Sequence, residues 1–309
     1  KKKYELTDET MKYAGHVLHR IKALVSFADV KEGDLGGWIE NESNLSHLGN
    51  AWVYGMAKVY DDAEVYDDAE VYDHAEVYDH AEVYCDAKVY GYAEVYCDAK
   101  VYGHAEVYDH ANVTVHAKVY GYAKVYGYAK VYGYAEVYGH AEVYDYANVT
   151  VHANVSGYAE VYDYAKVYGY AKVHGYAKVY DHAKVYGYAE VYGYAKVSGN
   201  ANVTIHANVS GNAEVYGDAI VSSMYDYIVF KNFWSSGRYF TWTRSNNKWK
   251  VGCFYGTGDE LISKAYEDSQ KSGREYERVV KYVESILHDE TIKDEQKNEE
   301  SSSVAASKN

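Results

Sequence analysis

The stretch AEVYDDAEVYDHAEVYDHAEVYCD, residues 63–86, decides the fold. It repeats one unit: Ala, a charged residue, Val, Tyr, then two polar or small residues, as in Ala63, Glu64, Val65, Tyr66, Asp67, Asp68. Valine returns every sixth residue from Val53 to Val221, a run of 29 units without one inserted residue. An α-helix turns about 600° in six residues, so successive valines would spray around its axis and leave no apolar stripe. Read as a four-residue strand, the unit puts Ala and Val on one side and the charge and Tyr on the other, with the last two residues turning the chain. An antiparallel meander would set Val65 against the next charged position and Tyr66 against the next Ala, so neither face would be apolar. A parallel coil stacks like on like, valine over valine and alanine over alanine, and segregates the sequence.

The number of units per coil is also written in the chain. A variant cassette occurs three times, as Asn112-Val113-Thr114-Val115-His116, Asn148 to His152, and Asn202-Val203-Thr204-Ile205-His206. Its offsets, 36 and 54 residues, are both multiples of 18, so three units close one coil and the cassettes share one corner of a three-sided prism. Another corner, from Asp67 and Cys85 through Gly103 to Gly211, is nearly all glycine, as a positive φ requires. β-branched residues sit badly in that conformation, so we expect a different turn at Val115, Val151 and Ile205. About ten coils at ~4.8 Å each make a rod of roughly 45 to 50 Å. The fold class is therefore mainly β, a three-sided parallel β-helix solenoid.

Val in the aliphatic slot and Ala in the second small slot, in all 29 units, resemble the hexapeptide-repeat left-handed β-helix family. The departure is Tyr, where that family carries a small or acidic residue. The left hand is what the resemblance implies, since general chirality rules favour right-handed crossovers. The lead-in Gly33-Asp34-Leu35-Gly36-Gly37-Trp38-Ile39-Glu40, the Tyr-rich repeats and a short aromatic end together resemble phage- and Firmicute-borne hexapeptide-repeat proteins.

Outside the repeats, residues 1–50 read as a strand-rich N-terminal cap over the exposed edges of the first coil. Residues 223–288 read as a small aromatic-rich α/β module. Its strands are Tyr227 to Phe233, Tyr239 to Arg244 and Trp249 to Phe254, and helix follows over 258–288. The charged and Ser-rich residues 289–309 read as a disordered tail.

A net charge of −15 disfavours nucleic acid, and no apolar run suits a membrane span, so we expect a cytoplasmic chain without membrane contact. Three cysteines, Cys85, Cys97 and Cys253, lack metal-ligand spacing. The resemblance raises two chemistries. Acyl transfer in that family uses a histidine on a protruding loop, and uninterrupted repeats leave no loop to carry one. Carbonic anhydrases of the γ type use histidines two coils apart plus a third. Here His80, His116, His152 and His206 share a line, but Gly121 takes the third position, and two coils is about 9.6 Å, too far for shared zinc bonds. We therefore expect no catalytic residue, no metal and no cofactor, and a non-catalytic scaffold, with the transferase or anhydrase as alternative. The candidate interaction surface is the outward Tyr row, Tyr60, Tyr78 and Tyr96, with the C-terminal aromatics Trp234, Tyr239, Trp242 and Trp249. Packing inside the small module is the competing account of those last rings. A protein or glycan partner, or a second copy of the rod, is expected.

Overall fold

A computed structural model describes residues 2–306, with side chains through Glu290. The chain divides into two units, Lys1–Ile228 with Arg244–Asn246, and Val229–Thr243 with Asn247–Asn309. In the first unit the repeats form a three-sided parallel solenoid. Every strand pairs with the strand 18 residues on, as Glu94 with Asn112 and Val95 with Val113. One face belongs to a 13-stranded sheet, and the others are sheets of 10 and 9 strands. Each repeat Ala and Val from Ala51 to Val221 is fully buried, so the core is two columns of small side chains per face. The three cassettes fall in one sheet, at Asn112–Val113, Asn148–Val149 and Asn202–Val203.

The expected change of turn at the cassettes does not occur. Val115, Val151 and Ile205 hold φ of 63°, 64° and 58°, like the Asp and Gly residues stacked on the same corner. The ladder over-determines this conformation. Their neighbours on both sides are fixed by bonds such as His116 N to Gly133 O at 2.9 Å and Tyr134 N to Val151 O at 2.6 Å, so the turn cannot change without breaking them. Aspartate at this slot has its own reason. Its carboxylate accepts the equivalent amide of the next coil, as Asp79 Oδ2 does from Cys97 N at 3.2 Å and Asp181 Oδ2 from Gly199 N at 2.9 Å.

Along this ladder the amides of the charged slot, of Tyr and of the second turn residue point toward the C-terminal end, as Glu64 N to Ala81 O, Tyr66 N to Val83 O and Asp68 N to Cys85 O, so the first coil leaves the carbonyls of Ala, Val and the first turn residue to be covered and the last coil leaves the matching amides. The caps match this polarity. Strands β1 (Tyr4–Tyr13), β2 (His16–Ala23) and β3 (Leu35–Ile39) extend the 13-stranded sheet, with β3 lying parallel on Lys58–Val59. From this cap, donors reach the open carbonyls: Asn44 Nδ2 to Asp61 O and Ala63 O at 2.8 and 2.9 Å, and Lys3 Nζ to Ala51 O at 2.7 Å. At the other end acceptors take the open amides. Ser245 Oγ binds Ile220 N at 2.7 Å, and Asp226 Oδ2 binds Ser222 N and Ser223 N at 2.8 Å.

The second unit holds an antiparallel sheet built from Tyr239–Thr243, Lys248–Val251 and Phe254–Gly256, followed by α1 (Gly258–Asp268) and α2 (Gln270–Ala306). Thr257 starts α1 with a capping box, its hydroxyl accepting from Glu260 N while Glu260 accepts from Thr257 N. A Cβ at Gly273 would fall on the Tyr266 ring, so this glycine sets how closely α1 and α2 approach. The helical backbone of α2 passes His288 and includes 289–306, which the sequence reading left without structure; charged residues of good helix propensity, with no Pro or Gly, sustain it. Residues 307–309 of the expected tail lie outside the described residues. No described helix is long and apolar enough to cross a membrane.

Candidate functional site

Two kinds of aromatic column run along the solenoid, and the sequence reading saw only one. The Tyr that follows each Val lies over the strand face. Tyr72, Tyr90, Tyr108, Tyr126, Tyr144, Tyr162 and Tyr180 stack with centroids 4.7 to 5.0 Å apart and planes within 3°. These phenols have a partner rule. Where the residue 16 positions on is Glu, the hydroxyl generally donates to it, as Tyr90 to Glu106 at 2.7 Å and Tyr126 to Glu142 at 2.8 Å. Burial and the carboxylate together push the Tyr90 and Tyr126 phenols well above their ordinary range, and burial with nearby acids moves Tyr108 up to about 12. These rings brace the ladder rather than face a partner.

The second turn residue of each unit forms the other column, on the corners. His104, Tyr122, His140, Tyr158, Tyr176 and Tyr194 stack at 4.7 to 5.2 Å on one corner. His74, Tyr92, His110, Tyr128, Tyr146, Tyr164 and His182 do so on a second, and His116, Tyr134, His152, Tyr170, Tyr188 and His206 on the third. These tyrosines are roughly half exposed, from 47% at Tyr146 to 62% at Tyr194. Their faces are turned to one another, so what meets solvent is a comb of ring edges, hydroxyls and imidazole nitrogens. The signal was present in the sequence as a slot that accepts His and Tyr almost interchangeably. A single unit does not reveal the stacking, because exposure at one turn says nothing about the same slot one coil away.

The residues expected to form the surface divide differently. Tyr60, Tyr78 and Tyr96 do stack, at 5.1 and 4.8 Å, but Tyr60 is only 5% exposed, covered by Tyr13 and His16 of the cap. Trp242 and Trp249 are directly opposite across two strands and buried. Trp249 packs with Phe230 and Phe240, whereas Trp234 is half-buried, edge-on to Tyr276 at 4.9 Å. These rings are the core of the small module. Tyr239 alone among the four is exposed, with the Lys231 ammonium 5.7 Å from its ring centre.

The histidine line considered for metal is interleaved with tyrosine, the Tyr134 ring standing between His116 and His152 at 4.7 and 5.0 Å. A closer cluster joins the cap to the first coil, with His16 Nδ1 3.1 Å from Glu40 and Nε2 3.4 Å from Asp61. Both ring nitrogens already face carboxylates, and Glu40 also accepts Asp61 N, so these contacts serve to fasten β2 to the coil.

No protein-family model matches the chain, and no curated protein matches it significantly.

Proposed function

We propose that the protein is a non-catalytic binding scaffold, a stiff solenoid that holds a macromolecular partner along its aromatic corners. The single observation that carries this reading is the set of three corner columns, each of six or seven stacked rings. A stacked ring has already lost rotamer freedom, so presenting it to a partner costs little further ordering entropy. Because the ring faces are occupied by their neighbours, the columns offer edges and hydrogen-bonding groups in register with the strands. That favours a protein partner over a sugar stacked on a ring face.

Kinship with the left-handed hexapeptide-repeat proteins, including those of phages and Firmicutes, is part of this reading and rests on the Val and Ala columns. A cytoplasmic setting suits the free thiols of Cys85, Cys97 and Cys253. The test is capture of partners from the native host with the wild type and with a variant carrying Tyr122→Ser, Tyr158→Ser, Tyr176→Ser and Tyr194→Ser. Loss of a captured protein, with the circular dichroism unchanged, is the expected result. Equal capture by both, or transfer of the loss to a Tyr239→Ser variant of the module, refutes the corner reading.

A further inference from the structure

The repeat imposes a charge rule, and one stretch of one face breaks it. Repeat lysines have a glutamate partner on the strand directly above or below, as Lys88 with Glu70 at 3.4 Å, Lys100 with Glu82 at 2.8 Å, Lys118 with Glu136 at 3.4 Å and Lys178 with Glu160 at 2.9 Å. The same holds for Lys58, Lys124, Lys172 and Lys196. Three others, Lys130, Lys166 and Lys184, have none, and all lie on the face that carries the cassettes. Beyond Glu76 and Glu94 of its earlier coils, the charged slot of that face reads Asn112, Lys130, Asn148, Lys166, Lys184, Asn202 without an acid.

Lys166 and Lys184 are moreover paired with each other in register, Cα against Cα, with both side chains exposed. Like charges directly opposite destabilise a ladder, and any of the repeat's usual glutamates would remove the cost. The two lysines line a cavity of about 490 Å³ together with Asn148, Tyr164, His182 and Asn200. Every one of these side chains can donate a hydrogen bond. The acids nearest in sequence, Asp163 and Asp181, each direct a carboxylate oxygen to a turn amide of the next coil, at 3.3 and 2.9 Å.

We infer that this groove binds a multiply charged oxyanion, a phosphate or sulfate group set between the Lys166 and Lys184 ammoniums. Lysine serves such a group as a point charge, and the amides, phenol and imidazole complete its coordination. Lys130, two coils from Lys166 at about 9.6 Å, continues the stripe, so the group can belong to a free anion or to one substituent of a sulfated glycan chain lying along the face. The inference deepens the scaffold reading, because Tyr164 and His182 belong to a corner column, but it is tested by lysine variants that leave every ring in place.

The experiment is titration calorimetry on the full chain at low ionic strength, with inorganic pyrophosphate, inorganic sulfate and a sulfated polysaccharide as separate probes. Wild type is expected to bind pyrophosphate at least tenfold more tightly than Lys166→Gln/Lys184→Gln, while Lys88→Gln, which removes a glutamate-paired lysine from another face, binds like wild type. The double variant should also melt at a higher temperature than wild type without ligand, because the like-charge pair is gone; a misfolded variant would melt lower. A free-anion site predicts that Lys130→Gln leaves all affinities within twofold, and a glycan site predicts that it weakens the polysaccharide alone. Absence of binding by any probe overturns the inference, as does equal binding by the double variant or an equal loss in Lys88→Gln. If the corner-ring variant loses its protein partner yet still binds pyrophosphate, the two readings stand separately.

Discussion

Replacing the β-branched turn residues by glycine should stabilise this protein, although each change removes a side chain. Val115, Val151 and Ile205 hold positive φ, where an L-residue costs ~1–2 kcal/mol and a β-branched one lies at the upper end. A second cost is steric. A Cβ placed on Gly133, on the same corner, would lie 2.9 Å from Val151 N, which shows how little room the next turn leaves at this slot. Against these stand the greater freedom of glycine in the unfolded chain, ~0.5–1 kcal/mol, and the contact made by half-covered side chains. Exposures of 38%, 44% and 56% limit that contact to ~0.5 kcal/mol each. The balance favours glycine by ~0.5–1 kcal/mol per site, or ~2 kcal/mol for Val115→Gly/Val151→Gly/Ile205→Gly. With a guanidinium m-value of ~4 kcal/mol/M, the unfolding midpoint should rise by ~0.5 M. Val115→Asp is the companion variant, since its carboxylate can accept Gly133 N as Asp79 accepts Cys97 N. A midpoint that stays put or falls in the triple glycine variant, with unchanged m, would refute the claim that the ladder holds these residues under strain.

Four further outcomes follow from the packing, the charges and the cap. Val131→Ala should lower stability by ~2–3 kcal/mol for two lost methyls and an unfilled space, and Ala129→Leu should cost at least as much because its column has no room; both are read by denaturant unfolding. The face tyrosines make the fold sensitive to alkali. Burial and the Glu carboxylates raise their folded pKa above the unfolded value of 10, so the stability they contribute is full below about pH 10 and drains as pH rises from there through the raised values, which for Tyr72 and Tyr108 are about 12. Ultraviolet titration should show their phenolate appearing together with the loss of β-sheet dichroism, whereas phenolate formation well before unfolding would contradict the assignment. Lys3 acts in the opposite sense. Burial lowers it to about 8, so the unfolded chain holds more protons between about pH 8 and 10.5, and stability gains over that window; Lys3→Met should abolish the gain. Asn44→Ala should cost ~2–3 kcal/mol and raise hydrogen exchange at the first coil first, because it uncovers the carbonyls of Asp61 and Ala63.

The sequence by itself determined the period, the number of coils and the buried columns. A strict six-residue recurrence of Val and Ala has one arrangement that puts apolar on apolar, and the spacing of the Asn-Val-Thr cassettes then closes the coil at 18 residues. It also located the small aromatic module, whose Trp242 and Trp249 are cross-strand partners in its core. What it could not decide was the state of any residue whose partner lies one coil away. The turn slot with Val115 read as a local preference, yet its conformation is set by the ladder on either side. The corner rings stack because the same slot returns every ~4.8 Å along the axis, which no single unit displays. The donors Asn44 and Lys3 and the acceptors Ser245 and Asp226 gave no sign of their shared purpose. That purpose comes from which amides and carbonyls of each unit the ladder points toward either end, and no pattern local to either end records it.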